Sequence, residues 1–114
     1  MLRITALVAA FAAALTVVFA AEARSTSTSV NVTAKDFKFT LSKKSAPHGI
    51  VVFHVVNKGP SQHDFKIAGK KTPLLKKGKK ATLKVTLKKG KKYAYICSVP
   101  GHAQLGMKGT FKAT

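Results

Sequence analysis

Short segments of alternating apolar and polar residues follow one another through most of the chain. Residues 37–41 (FKFTL) and 83–87 (LKVTL) alternate strictly, which is typical of strands with one buried face. Residues 50–56 (IVVFHVV) are almost continuously apolar, which predicts a central strand covered on both faces. Further candidate strands are residues 65–67, 93–97 and 109–113. No stretch from Val30 onward has a helical period, so the pattern predicts an all-β sandwich or barrel.

Glycine, proline, asparagine and lysine separate the predicted strands. The sequence KKGKK occurs at residues 76–80 and again at residues 88–92. Each copy predicts a turn in which glycine adopts the special backbone angles and lysine stays in solvent. One strand lies between the copies, so we expect them at opposite ends of the fold.

The first 23 residues have the features of a secretory signal. A short basic start precedes an apolar run over residues 4–21, which ends in the small-x-small sequence Ala21-Glu22-Ala23. We predict a signal peptide over residues 1–23, a flexible Ser/Thr-rich segment over residues 24–29 and a folded domain over residues 30–114. The protein is then periplasmic or secreted. An uncleaved membrane anchor is the alternative, because this run of 18 residues, apolar except for Thr5 and Thr16, nearly spans a bilayer.

Length and charge narrow the possible functions. A chain of 114 residues allows one small domain, and 21 Lys+Arg against 3 Asp+Glu give a formal net charge of +18. With so few acids, catalysis by paired carboxylates is nearly excluded. The charge suggests nucleic acid or an anionic surface as a partner. Export argues against a chromosomal role, and two Tyr without Trp offer little stacking surface, so we expect no specific nucleic-acid binding.

The single cysteine cannot form an internal disulfide and needs another explanation. Cys97 is either a small buried apolar side chain or a ligand. Residues 97–107 (CSVPGHAQLGM) favour a ligand, because they place Cys97, His102 and Met107 at a Cys-x4-His-x4-Met spacing around a Pro-Gly turn. Thiolate, imidazole and thioether together select copper, and an electron-transfer copper site also needs a second imidazole.

Three histidines remain for that second position. His63 lies in a turn that leads from the central strand into the next strand. His48 follows a proline in a loop, so we assign it to the surface. His54 lies inside a strand, so we assign it to a strand face. His63 is the predicted second imidazole ligand.

With these residues in place, the sequence resembles the cupredoxins, the small blue copper proteins. The resemblance rests on residues 57–65 (NKGPSQHDF) and residues 95–110 (YICSVPGHAQLGMKGT), and it is greatest to plastocyanin/azurin-type bacterial members with an auracyanin-like ligand loop. It implies a Greek-key β-sandwich of about eight strands. It also implies one type 1 copper ion at one end, with the following ligands: His63, Cys97, His102 and the axial Met107.

Two residues depart from the family pattern. Asp64 stands where Asn often follows the first histidine, and Gln62 stands where azurin has a glycine whose carbonyl approaches copper. We therefore expect no such carbonyl contact. The residues predicted to support the ligands are Asn57, Asp64 and Ser98. The Asp64 charge should lower the reduction potential, because a negative neighbour favours Cu(II).

The resemblance implies an electron-transfer protein rather than an enzyme. A copper delivery or storage protein of the cell envelope is the alternative. A free-standing copper oxidase is disfavoured because no second His-rich cluster exists to bind oxygen.

Two docking surfaces are predicted, one from the resemblance and one from the direction of the strands, which brings the first KKGKK turn to the copper end. His102 is the expected electron port, with an apolar rim of Val99, Pro100, Ala103 and Leu105; ordinary loop packing is the alternative for this rim. An acidic redox partner is expected at Lys76, Lys77, Lys79 and Lys80, together with Lys70 and Lys71. The alternative is a solvated face suited to an anionic membrane or envelope surface. We expect a monomer.

Overall fold

The computed structural model describes residues 13–14 and 26–114, and the predicted signal peptide lies outside the described residues apart from residues 13–14. The described chain consists of strands joined by turns. Its strands are β1 (Thr28–Lys35), β2 (Lys38–Leu41), β3 (Ser45–Ala46), β4 (Gly49–Asn57), β5 (Lys66–Ile67), β6 (Lys70–Lys71), β7 (Lys80–Leu87), β8 (Lys92–Ile96) and β9 (Lys108–Ala113). The described residues include no helix that is long and apolar enough to cross a membrane.

The strands form two sheets. The first sheet has the order β2-β1-β4-β7, and the second has the order β3-β9-β8-β5-β6. Most neighbours are antiparallel, but β1 pairs with β4, and β3 with β9, in parallel. The predicted all-β sandwich is confirmed. The described strands number nine instead of about eight, because three of them contain only two residues.

The alternating strands bury one face each between the sheets. Phe53 of the first sheet meets Phe111 of the second with ring centroids 5.3 Å apart and an interplanar angle of 78°. Edge-to-face aromatic pairs of this kind stabilise a core by more than the burial of their surface alone.

The prediction that β4 is covered on both faces is wrong, since buried Val51, Phe53 and Val55 alternate with exposed or half-exposed neighbours. A two-layer sandwich leaves the outer face of this strand without a covering layer among the described residues.

The two KKGKK turns lie at opposite ends of β7, as predicted. At one end, Asn57 N donates to the carbonyl of Lys79 at 3.0 Å. At the other end, Gly90 N donates to the carbonyl of Ala113 at 2.9 Å. The first of these ends also carries the loop that contains His63, and we call it the copper end below.

Two histidines fall where the sequence placed them. His48 lies in an exposed loop, with Nδ1 3.0 Å from the carbonyl oxygen of Thr114. His54 is exposed on the outer face of β4.

Strand β1 begins at Thr28, inside the Ser/Thr-rich segment, because Thr28 and Ser29 already pair with β4.

Candidate metal centre

His63 is held by backbone pairing at the copper end. After β4 ends, the chain turns and His63 forms an antiparallel bridge with Leu75. The two residues exchange N–H···O bonds of 3.1 and 2.8 Å. His63 is 1% exposed, so its ring is fixed inside the protein and does not swing in solvent.

Asn57 ties the turn before His63 to its neighbours. Its Nδ2 donates to the carbonyls of Ser61 at 2.8 Å and Leu75 at 2.7 Å, and its Oδ1 accepts from Gly59 N at 2.7 Å. Asn57 is fully buried, and its bonds to Leu75 and Gly59 are shielded from water, while the bond to Ser61 is part-buried. This side chain therefore sets the path of the loop that delivers His63.

The other donors lie on one loop between β8 and β9. Cys97 N donates to the carbonyl of Met107 at 3.0 Å, which closes the loop, and Met107 N donates to the carbonyl of His102 at 3.1 Å. Gly101 and Gly106 have φ angles of +82° and +124°, a region that favours glycine. These bonds are local, so the loop sets its own shape.

Three donor atoms converge between these two segments. Nδ1 of His63 lies 3.1 Å from Nδ1 of His102, and Sγ of Cys97 lies 3.9 and 3.7 Å from these two nitrogens. Bonds of about 2.0 Å to nitrogen and 2.3 Å to sulfur place donors in a common plane about 3.5–3.7 Å apart. The observed triangle agrees within a few tenths of an ångström, so the residues fit a metal ion.

Met107 completes a soft donor set. It is fully buried and packs in one cluster with Cys97 and Ala34. Two imidazoles, a thiolate and a thioether suit copper, whereas a thioether is not among the donors typical of zinc.

Comparison with known families agrees with this chemistry. The sequence profile of the family described as "Copper binding proteins, plastocyanin/azurin family" matches residues 16–114. The chain belongs to this family. It is a cupredoxin and its cofactor is copper. The four predicted ligands cluster where they would hold a type 1 copper ion.

Solved structures share the fold at low identity. Auracyanin A from Chloroflexus aurantiacus is 17% identical, with a TM-score of 0.65 over 78% of this chain and 100% of that one. The azurin Az-iso2 from Methylomonas sp. strain J is 20% identical, with a TM-score of 0.61 over 76% and 98%. Copper nitrite reductase from Nitrosomonas europaea is 15% identical, with a TM-score of 0.62 over 77% and 41%. No curated protein sequence matches the chain.

Asp36 also supports this cupredoxin site, and it is not among the residues predicted from the sequence. Its Oδ1 accepts from His63 Nε2 at 2.7 Å, and its two oxygens accept from Ser61 N and Oγ at 3.0 and 2.6 Å. A carboxylate only accepts, so Nε2 carries the hydrogen and Nδ1 keeps a free lone pair for the metal. Partial burial acts to raise the pKa of Asp36, but the hydrogen bonds from Ser61 and His63 outweigh it, and the pKa lies below its ordinary value.

Phe37, which follows Asp36 in the chain, packs against His102. The Phe37 ring meets the His102 ring edge-on, with centroids 5.1 Å apart and an interplanar angle of 69°. The two-residue turn between β1 and β2 therefore contacts both imidazoles, which makes it a third segment of the site.

Asp64 binds Ser98, the residue that follows Cys97. Its carboxylate accepts hydrogen bonds from Ser98 N at 2.6 Å and from Ser98 Oγ. Burial raises the pKa of the Cys97 thiol, while the backbone N–H groups of Asp64 and Val99 oppose that rise because they stabilise the thiolate. A bound metal ion displaces the thiol proton in any case.

The residues predicted for docking fall into two groups. Val99, Pro100, Ala103 and Leu105 lie on the ligand loop beside half-buried His102, and Leu105 is 61% exposed. The turn that carries Lys76, Lys77, Lys79 and Lys80 follows Leu75, the bridge partner of His63, and so belongs to the copper end. Lys70 and Lys71 lie apart from it on β6, where Lys70 Nζ reaches the carbonyl of Lys84 at 3.4 Å.

Proposed function

We propose that this cupredoxin is an electron carrier that cycles between Cu(I) and Cu(II). Copper supplies one-electron chemistry when it is bound. The observation that carries the proposal is the donor triangle of His63, Cys97 and His102, which backbone bonds and buried side chains hold in place. Rigid donors require little movement between the two oxidation states, and this keeps electron transfer fast.

His102 is the proposed electron port. It is half-buried, whereas His63, Cys97 and Met107 are at most 1% exposed. The ring of His102 is therefore the donor through which the site meets a partner. Among the described residues, the large apolar side chains in solvent are Leu74 and Leu105, and both lie at the copper end.

An acidic redox protein is the proposed partner, steered by Lys76, Lys77, Lys79 and Lys80. These side chains are exposed beside the His63 loop. Electrostatic steering of this kind raises association rates roughly 10–1000-fold and weakens with salt. The cupredoxin itself is proposed to act as a monomer.

The steering can be tested by stopped-flow oxidation with an acidic redox protein. Replacing these four lysines with Gln should slow the second-order rate about 10-fold at low salt. The matched control replaces Lys88, Lys89, Lys91 and Lys92 at the far end and should change the rate much less. Equal slowing in both variants would show that only net charge matters.

Copper delivery or storage is the alternative function. Three of the four donors are buried in the described structure, which favours retention of the ion over exchange. A carrier should show reversible voltammetry over many cycles and keep Cu(I) in the presence of a competing chelator. Rapid loss of Cu(I) to that chelator, in the absence of any redox partner, would instead indicate delivery.

The visible spectrum tests the site itself. The copper-loaded protein should show a strong band toward the red from the Cys97 thiolate, and Cys97→Ser should remove it. A colourless Cu(II) form of the wild-type protein would contradict the proposed site.

Export is proposed on the strength of the N-terminal sequence. Intact-mass measurement of protein recovered from the cell envelope and the medium should give the mass expected for cleavage after Ala23. A full-length mass in the membrane fraction would indicate the uncleaved anchor.

A further inference from the structure

The outer face of the second sheet carries an array of lysines. Strand register aligns Lys108 of β9, Ile96 of β8, Lys66 of β5 and Lys71 of β6 in one row across the sheet. Lys92 and Lys112 oppose each other in a second row, four residues further from the copper end. We call this surface the lysine face, and its members are Lys66, Lys71, Lys92, Lys108 and Lys112, all exposed.

No Asp or Glu side chain offsets these charges in the described part of the chain. Its acids, Asp36 and Asp64, both turn toward the copper site and are engaged there by Ser61, His63 and Ser98. Lysines directly opposite each other on neighbouring strands repel. The pairs Lys66–Lys71 and Lys92–Lys112 therefore oppose sheet stability, which indicates that binding rather than folding explains them.

The lysine face lacks the features of a protein–protein interface. Ala94 and Thr110 lie between its two rows, and the nearby aromatic residues Tyr95 and Phe111 are buried on the inner face. Interface cores are depleted in Lys and enriched in aromatic residues. The exposed apolar side chains Leu74 and Leu105 lie at the copper end instead.

An array of exposed charges on one face of a sheet suits a partner with spread negative charge and no fixed shape. We propose that the lysine face binds the surface of an anionic phospholipid bilayer. Each lysine held near an anionic leaflet raises the partition coefficient about five-fold, so five lysines acting together give a large combined effect.

The position of this face leaves the redox end available. Its rows run from Lys108, which directly follows Met107, to Lys92 and Lys112 at the far end of the strands. A domain that lies on this face has its strands along the membrane, so the copper end is not covered. Membrane binding and electron transfer thus use separate surfaces, and either proposal can fail without the other.

Co-sedimentation of the copper-loaded protein with lipid vesicles tests the proposal. Vesicles of 70% phosphatidylcholine and 30% phosphatidylglycerol are compared with pure phosphatidylcholine at low salt. The test variant replaces Lys66, Lys71, Lys92, Lys108 and Lys112 with Gln. The matched control replaces Lys35, Lys38, Lys43, Lys58 and Lys84, so that both variants lose the same number of charges.

The wild-type protein should bind the anionic vesicles and not the neutral ones. The lysine-face variant should lose at least about 50-fold in partition coefficient, and the control less than about five-fold. An unchanged thiolate band verifies that each variant is folded. Equal losses in the two variants, or no vesicle binding by the wild type, would overturn the proposal. Tighter face-dependent binding to polyphosphate or to duplex DNA than to vesicles would also overturn it, in favour of a linear polyanion.

Discussion

The segment that carries His63 and the loop that carries the other three ligands reach the same point by different means. His63 is held by long-range contacts: Leu75 pairs with its backbone, and Asp36 binds its ring. The loop from Cys97 to Met107 is held mostly by bonds within itself. One half of the copper site thus depends on the assembled sandwich, whereas the other half is a nearly autonomous turn.

This difference has a consequence for the effect of mutations. Changes on the His63 side should alter the stability of the whole domain and, through Asp36, the electronic properties of the site. Changes in the loop should remain local. The following variants test this contrast in order of decreasing expected effect.

Asn57→Ala should be the most damaging of these changes. It removes two buried hydrogen bonds and one part-buried hydrogen bond, and it leaves the carbonyls of Ser61 and Leu75 without that donor. We expect a loss of about 3 kcal/mol of unfolding free energy, or roughly 15 °C in Tm of the copper-free protein. Asn31→Ala, at an exposed position on the outer face of β1, is the control and should change Tm by less than about 3 °C. An equal fall in Tm in the two variants would contradict a specific role for the Asn57 side chain.

Gly106→Ala tests the loop. The added Cβ would lie 3.1 Å from the carbonyl oxygen of Phe37, at a φ of +124°. We expect a loss of about 1–2 kcal/mol together with a shift of the visible band. Gly49→Ala is the control, since its φ of +112° is similarly strained but nothing lies within 4 Å of the added Cβ. It should lower Tm without moving the band, and a band shift in both variants would contradict a local effect.

Asp36→Asn separates charge from geometry on the His63 side. Asn can still accept from Nε2 of His63, but it lacks the negative charge that makes the imidazole a stronger donor and favours Cu(II). The reduction potential should therefore rise, by an amount on the order of tens of millivolts. Voltammetry measures it, and a potential that is unchanged or lower would exclude this role for the Asp36 charge.

Asp64→Asn should raise the potential by less. Its carboxylate accepts two hydrogen bonds from Ser98 and acts on the Cys97 thiol, but unlike Asp36 it binds no imidazole, so its charge does not strengthen a histidine ligand. We expect less than half of the rise produced by Asp36→Asn. If Asp64→Asn gave the larger rise, the cysteine side would control the potential, and the contrast between the two halves would be reversed.

The same contrast explains what could be predicted from the sequence. Cys97, His102 and Met107 lie within eleven residues, so their spacing was sufficient to predict a copper site. Asp36 is separated from His63 by 27 positions, and only the strand pairing brings them together. Parallel pairing of β1 with β4 sets Ala34 opposite Asn57, and this places Asp36 beside the His63 loop.

One signal in the sequence pointed to Asp36. The whole chain has 3 Asp+Glu, so each acid in this basic protein was a candidate for a specific role. The sandwich fold was evident from alternating residues. The exposure of the outer face of β4 could not be predicted, because an apolar run is compatible with a strand covered on one face or on both.

Burial of Cys97 also matters before the protein meets copper. Its thiol is the one sulfhydryl of the chain and is 1% exposed. Because that thiol lies inside the protein and burial raises its pKa, we expect it to react slowly with oxidants and alkylating agents. We therefore expect a copper-free chain in an oxidising medium to resist dimerisation through a disulfide and to remain able to bind copper.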